Sequence, residues 1–256
     1  MLKIATWNVN SLRVRLPQVL DWLAAHKPDA LCLQELKMED KAFPLAEIQA
    51  AGYHAVFSGQ KTWNGVAILA PTPPENPLYG IPGFKDEQKR VIAATVAGLR
   101  IVCAYFPNGQ SLDSDKYAYK LAWIEALTLW LKNEVLPAYP RFLLAGDFNI
   151  APEEADAHPD WKSDIIVSPP ERAAFKALIG CGLVDAFRLF DSSENAYSWW
   201  DYRTNGFSRN FGMRIDHILV SEPLRQACRG CAVDKAPRGL ERPSDHAPVV
   251  LDLAAV

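Results

Sequence analysis

Several apolar runs in this chain end in, or carry, side chains that can donate, accept or bind. They are Asn8, Glu35, Tyr105, Asp147 with Asn149, and Asp245 with His246; Asp216 interrupts a further run. Burying an ionised carboxylate is costly unless it is paired or meets a cation. Repeated acids and amides at strand ends therefore suggest one shared site at one edge of the sheets. Glu35, with Asn8 or Asp245 near it, offers hard oxygen donors of the kind Mg²⁺ accepts. No paired Cys/His spacing argues for zinc. His246 could pair with Asp216, which would fix its tautomer and keep the ring cationic beside an anion. Tyr105 and Asn149 could donate to a developing oxyanion, and Asp147 could take a proton from water. A metal, a base and anion donors together point to hydrolysis of a phosphate ester.

Each residue also has an ordinary structural reading. Leu143 to Ile150 can be a buried strand stopped by an Asx turn. On a strand, Asp147 and Asn149 would project together, because alternate residues share a face. Asn8 alone fits a cap, Glu35 a solvated strand end and His246 a turn histidine. Trp199 and Trp200 fit a core, although a loop tryptophan can stack on a base. Arg203 and Arg209 fit solvated charges. The pair Cys228 and Cys231 lacks the second pair that a zinc site needs.

The elements that would carry these groups read as follows. Lys3 to Trp7 and Ala30 to Leu33 predict buried strands, with a helix over Leu12 to His26 between them. Pro44 to Ala51 predicts a short helix stopped by Gly52. Tyr53 to Phe57 and Gly65 to Ala70 predict two strands. Pro71 to Pro77 must be a loop or an edge. Arg90 to Val96 and Arg100 to Phe106 predict a hairpin, and Asp115 to Val135 a long helix ended by Pro137 and Pro140. Ala151 to Pro170 reads as a long surface loop, Glu171 to Ile179 as a helix, and Leu183 to Leu189 as strand or helix. Met213 to Val220, Cys231 to Lys235 and Pro248 to Leu253 predict the last strands. Strands with consecutive apolar residues need cover on both faces. Two sheets packed on each other with helices outside meet that need.

The bulk numbers narrow the class. At 256 residues and 49% hydrophobic content, one α/β or sandwich domain spanning 1–256 can bury its own core. A net charge of −3 does not suit a protein that coats nucleic acid nonspecifically, yet permits a local basic groove. No run approaches the ~20 apolar residues of a membrane span. The five cysteines, an odd number without a signal-peptide pattern, fit a reducing cytoplasm.

In order along the chain, Thr6-Trp7-Asn8-Val9-Asn10-Ser11, Leu33-Gln34-Glu35, Tyr105-Phe106-Pro107-Asn108-Gly109, Gly146-Asp147-Phe148-Asn149, Arg214-Ile215-Asp216 and Ser244-Asp245-His246 resemble the exonuclease III family. These are DNA repair nucleases that include abasic-site endonucleases. Pro170-Glu171-Arg172 and Leu183 to Arg188 look like the same family. The resemblance implies an α/β four-layer αββα sandwich of two packed mixed β-sheets with helices on the outside. It implies Glu35 as the main ligand of Mg²⁺, or Mn²⁺, with Asn8 and Asp245 close by. Asp147, Asn149 and His246 would be candidates for a second ion. Asp147 would orient or deprotonate water. Asn149, Tyr105 and His246 would hold the scissile phosphate, and Asp216 would orient His246. The expected substrate is double-stranded DNA with damaged, nicked or abasic sites, cut by a monomer to leave 3′-hydroxyl and 5′-phosphate ends.

Asn108, His158, Trp199, Arg203, Met213 and Ile215 would face the DNA or an aromatic-lined sugar pocket. Met213 stands where the resemblance leads one to expect tryptophan. The stretch His158-Pro159-Asp160-Trp161 is not the family's usual sequence. His158 or Trp161 is expected to crowd the pocket and favour 3′ trimming over abasic incision. Two other classes stay open: a same-fold phosphodiesterase acting on RNA, inositol phosphates or lipids, and a catalytically silent DNA-binding homologue.

Overall fold

The chain starts one sheet, leaves it to build a second, and returns to close the first. The computed structural model describes residues 1–254. The opening segment contains β1 (Leu2–Asn8), α1 (Leu12–His26), β2 (Ala30–Gln34), α2 (Leu45–Ala50), β3 (His54–Gly59) and β4 (Gly65–Ala70). The middle contains β5 (Glu75–Tyr79), β6 (Val91–Val96), β7 (Leu99–Tyr105), α3 (Asp115–Trp130), α4 (Leu136–Ala138), β8 (Phe142–Asp147), α5 (Pro169–Ile179), β9 (Leu183–Asp185) and β10 (Asp216–Ser221). The last strands are β11 (Cys228–Val233) and β12 (Val249–Leu253). The six-stranded sheets run β11-β12-β1-β2-β4-β3 and β5-β6-β7-β8-β10-β9. β1 pairs with β2, and β7 with β8, in parallel, so both sheets are mixed.

The layers follow from side-chain alternation. Ile4, Ala30, Cys32, Ile101, Cys103, Leu143, Ala145 and Ile218 meet between the sheets. The intervening residues face outward. Ala5, Trp7, Leu31 and Leu33 lie under α1, which contributes Val19, Trp22 and Leu23. Val102, Ala104 and Leu144 lie under α3 and α5, which contribute Trp123, Ile124, Leu127, Phe175 and Leu178. This is the expected αββα sandwich. Gly146 is needed where β7 and β8 pass closely, since a Cβ there would lie 1.8 Å from the Ala104 carbonyl oxygen.

Three expectations change. The long helix passes through a π turn at Leu131–Val135 before α4, and Pro137, which lacks an N–H, helps end it. The segment after β8 is not simply a surface loop, because Ala151, Asp156, Ile166 and Ser168 are buried. The strand expected from Met213 begins only at Asp216, since Met213 bridges instead to Ala157 and Trp199. Cys228 and Cys231 are free thiols packed into the core, not a metal pair. Among the described residues, no helix is long and apolar enough to cross a membrane.

One buried network ties the segment after β8 to β9 and β10. The Arg214 guanidinium grips both Asp156 oxygens, at 2.7 and 3.1 Å, and reaches Asp185 at 2.8 Å. His217 sits between Arg214, 3.0 Å from Nδ1, and the Ile150 carbonyl, 3.0 Å from Nε2. Burial and the Arg214 charge push the His217 pKa down to about 4 from 6.5. The ring is therefore neutral, accepting from Arg214 and donating to Ile150. Its contribution to stability is complete above pH 6.5 and is lost as pH falls toward 4, where the unfolded chain binds the extra proton. The shift corresponds to on the order of 3 kcal/mol. Urea titrations of the wild type between pH 7 and 4 should show this loss, and His217→Gln should flatten that pH dependence.

Candidate active site

Strand parity brings the first groups together. Tyr105 ends β7 and pairs with Asp147 at the end of β8. Asp147 pairs in turn with Asp216 at the start of β10. The three side chains form a row on the inter-sheet face. Asn8 ends β1 in the opposing sheet, and its amide nitrogen donates to Asp147 Oδ2 at 2.9 Å and Glu35 Oε1 at 2.8 Å. His246 precedes β12, which pairs with β1, so the C-terminal region returns to this corner.

Glu35 is half-buried and held by three groups. Its Oε1 also accepts from the Tyr105 hydroxyl at 3.0 Å, and Oε2 lies 2.9 Å from Lys37 Nζ. Glu35, Asp147 and His246 each bring a ligand-type atom within 4.8 Å of the others. Burial and the negative charges of Glu35 and Asp147 hold the Tyr105 phenol well above its usual pKa, so it stays a donor.

His246 Nδ1 lies 2.9 and 3.1 Å from the two Asp216 oxygens. Ser198 donates its hydroxyl to Asp216 at 2.7 Å and accepts from the Asp216 N–H at 3.1 Å. Burial works against the imidazolium, but Asp216, Asp147 and Asp245 outweigh it and push the His246 pKa up to about 10. With Nδ1 held by Asp216, His246 turns Nε2 toward the cluster, where it can donate to an anion beside the carboxylates. Its Nε2 is 3.8 Å from Asp147 Oδ2. Burial raises the Asp147 pKa; His246 opposes this, while Asp216 and Glu35 add to it. Two carboxylates whose oxygens converge at one strand-end corner fit a hard divalent cation.

Other sequence expectations change at the level of atoms. Asn8 presents its nitrogen to the carboxylates, because its oxygen accepts the Asn10 N–H at 2.9 Å. In this arrangement its nitrogen orients Glu35 and Asp147. Asp245 is not in the ligand cluster. Its oxygens accept from Asn10 Nδ2 at 2.8 Å and Trp199 Nε1 at 3.0 Å, so it braces the pocket wall. Asn149 does not continue the strand. It has a left-handed φ of 48°, and its N–H closes an Asx turn on Asp147 Oδ1 at 2.9 Å. The structural and chemical readings of this segment thus hold together. Asn149 Nδ2 faces the Phe106 carbonyl at 3.0 Å and Asp147, and Asn108 donates to Asn149 Oδ1 at 3.2 Å.

The expected DNA-facing residues divide. Trp199 is half-buried, with its ring centroid 6.4 Å from that of His246. Met213 and Ile215 are fully packed beneath it with Ala151 and Ala157, a floor and not an open wall. His158 turns away from that floor toward Phe211, at 4.6 Å between centroids, and Tyr197. Trp161 meets Trp199 edge-on at 5.7 Å. Arg203 is exposed and paired with Asp201. Trp200 is core. The sequence reading gave no role to Lys37 or Ser198, and none to Asn10 beyond its place in the first motif; their importance lies in contacts with Glu35, Asp216 and Asp245.

Residues 5–246 match the endonuclease/exonuclease/phosphatase family. Exodeoxyribonuclease III of Haemophilus influenzae is 36% identical, over 97% of this chain and 98% of that protein. Two structures of NExo from Neisseria, one described as a 3′-5′ exonuclease and one as a 3′ phosphatase bound to a product DNA hairpin, superpose with TM-score 0.96 at 47% identity. They cover 99% of this chain and at least 99% of theirs. An AP endonuclease from Archaeoglobus fulgidus superposes with TM-score 0.95 at 41% identity, covering 99% of both chains. With its fold, its strand-end acids and its full-length likeness to these nucleases, the chain belongs to the endonuclease/exonuclease/phosphatase family.

Proposed function

We propose that this protein is a Mg²⁺-dependent DNA repair nuclease of the exonuclease III type. Its single domain would act as a monomer in the cytoplasm, on duplex DNA with nicked, damaged or abasic sites. The observation that carries the reading is the convergence of Glu35, Asp147 and cationic His246 from three distant strand ends. The likeness to the DNA-processing proteins named above supplies the substrate class.

Exonuclease, 3′-phosphatase and abasic incision all break a P–O3′ bond. Asp147 takes a proton from water as the water oxygen bonds to phosphorus, the P–O3′ bond breaks, and the departing O3′ takes up a proton from solvent to become a 3′-hydroxyl. His246 and Tyr105 donate to the phosphate oxygens, and Asn149 lines the same side. Asp216 keeps the His246 ring charged and aimed. A divalent cation held by Glu35, with Asp147 beside it, would supply Lewis-acid stabilisation of the charge that builds on the phosphate.

The Trp161–Trp199 contact favours processing of 3′ ends, because it fills the apolar recess beside His246. The testing assay uses duplexes with a recessed end, a 3′-phosphate or one abasic site, with Mg²⁺. The wild type should trim ends faster than it incises. Trp161→Gly should raise incision relative to trimming by about tenfold, the order that one pocket contact supplies. His158→Gly should leave the ratio unchanged, since His158 packs behind Phe211. Cleavage of RNA or of inositol phosphates in preference to DNA would replace this reading, as would DNA binding without cleavage.

A further inference from the structure

Lys120 is fully buried on the inner face of α3, a rare place for lysine. Its Nζ donates to the Asn149 carbonyl at 2.7 Å, to the Asn108 carbonyl at 3.2 Å and to Glu171 Oε1. Glu171 is buried as well. Its other oxygen accepts from the Ser168 N–H at 3.0 Å and hydroxyl at 2.7 Å, in the capping box that starts α5. Gly109, at φ +94°, lets the chain pass over the lysine stem; a Cβ there would lie 3.2 Å from Lys120 Cδ. The ammonium thus joins three separate segments at one point.

We propose that Lys120 is a positioning residue for phosphodiester cleavage, acting through the backbone of Asn149 and Asn108. The left-handed conformation of Asn149 costs energy and persists only when its surroundings fix it. Its N–H is fixed by Asp147 and its carbonyl by Lys120. The Asn108 amide, fixed at its own carbonyl, then holds the Asn149 side chain. A buried ion pair is a poor source of stability, because well-packed apolar groups often serve as well or better. What an apolar pair cannot do is aim two carbonyls. The inference rests on the nuclease reading above.

The test centres on the neutral pair Lys120→Met/Glu171→Gln, which strands no charge. It should melt within a few degrees of the wild type. Its kcat on a recessed duplex should fall about 10²-fold, the scale of a small misplacement near a reacting centre, with KM little changed. Added to Asn149→Ala, the same pair should cost less than about threefold more, because both changes act through one group. Wild-type kcat in the stable pair, or an equal loss with and without Asn149→Ala, would overturn the proposal. Lys120→Arg keeps the charge but not the reach to three acceptors, so it covers the case in which the neutral pair does not fold. A tenfold or larger drop in kcat supports the proposal, and full kcat overturns it. A wild type that cuts no DNA would count against the nuclease reading alone. The Asn149 backbone, seen in a crystal structure of the neutral pair or of Lys120→Arg, would then decide for Lys120 if it leaves the left-handed region and against it if it stays.

Discussion

Asp147→Asn is expected to lower kcat for DNA cleavage by about 10³-fold, the middle of the range for a lost general base, without loss of stability. KM should barely move, since the proton transfer belongs to the transition state. The stability half of the prediction comes from the site's own electrostatics. Burial penalises a negative charge on Asp147; His246 offsets part of this, and Asp216 and Glu35 add to the penalty, so the net effect raises its pKa. A carboxyl whose pKa is raised on folding costs stability above its unfolded pKa, and an amide removes that cost. It gives up the Oδ2 acceptor for Asn8 and, at 3.5 Å, for Asn149 Nδ2, together with the attraction of His246, a loss of about 1–2 kcal/mol that offsets that gain. Thermal melting and single-turnover kinetics on the same samples check both halves. A variant that loses activity only in proportion to unfolding would show that Asp147 is structural.

His246→Asn should act on both quantities at once. Removing a cationic donor to the phosphate should cost about 10²–10³ in kcat. It also leaves Asp216 buried with Ser198 as its hydrogen-bonding partner, a loss of roughly 3–5 kcal/mol. Asp216→Asn/His246→Gln removes the charge from both sides, so urea melts should regain most of the stability. Activity should not return, because the neutral pair offers no cation to the phosphate. Recovery of both together would mean that the pair serves the fold and not the reaction.

Much of this corner was legible because strands alternate. Asn8, Tyr105, Asp147 and Asp216 all occupy inward positions at strand ends, so a reading of apolar runs and their exits finds them. Parity alone does not place Glu35 and Asn149. Both have left-handed backbones, with φ of 54° and 48°: Glu35 turns back toward the site where a regular strand would point it away, and Asn149 reaches the face that alternation assigns it through an Asx turn and not a strand. Family motifs marked those two residues, but not which of their atoms point where. The Asn8 amide is turned by the Asn10 N–H two residues on and by Glu35 and Asp147 far along the chain, and Asp245 meets Asn10 and Trp199 across long stretches of sequence, contacts that a motif does not print. Lys120 escaped notice for a related reason. A lysine on an amphipathic helix normally faces water, and its partner, Glu171, is 51 residues away in sequence. The recess beside Trp199 was expected to be crowded by His158 or Trp161; Trp161 packs against Trp199 over the buried Met213 and Ile215, while His158 meets Phe211.

The most direct measurement is the fate of a 5′-labelled duplex with a recessed 3′ end, incubated with purified protein in Mg²⁺ and, separately, in EDTA. The expected result is stepwise shortening from the 3′ end to products bearing a 3′-hydroxyl, with Mg²⁺ alone, and none in EDTA or with Asp147→Asn. A duplex left intact with Mg²⁺, or shortened equally well in EDTA, would contradict the reading of this cluster as a metal-assisted phosphodiesterase site.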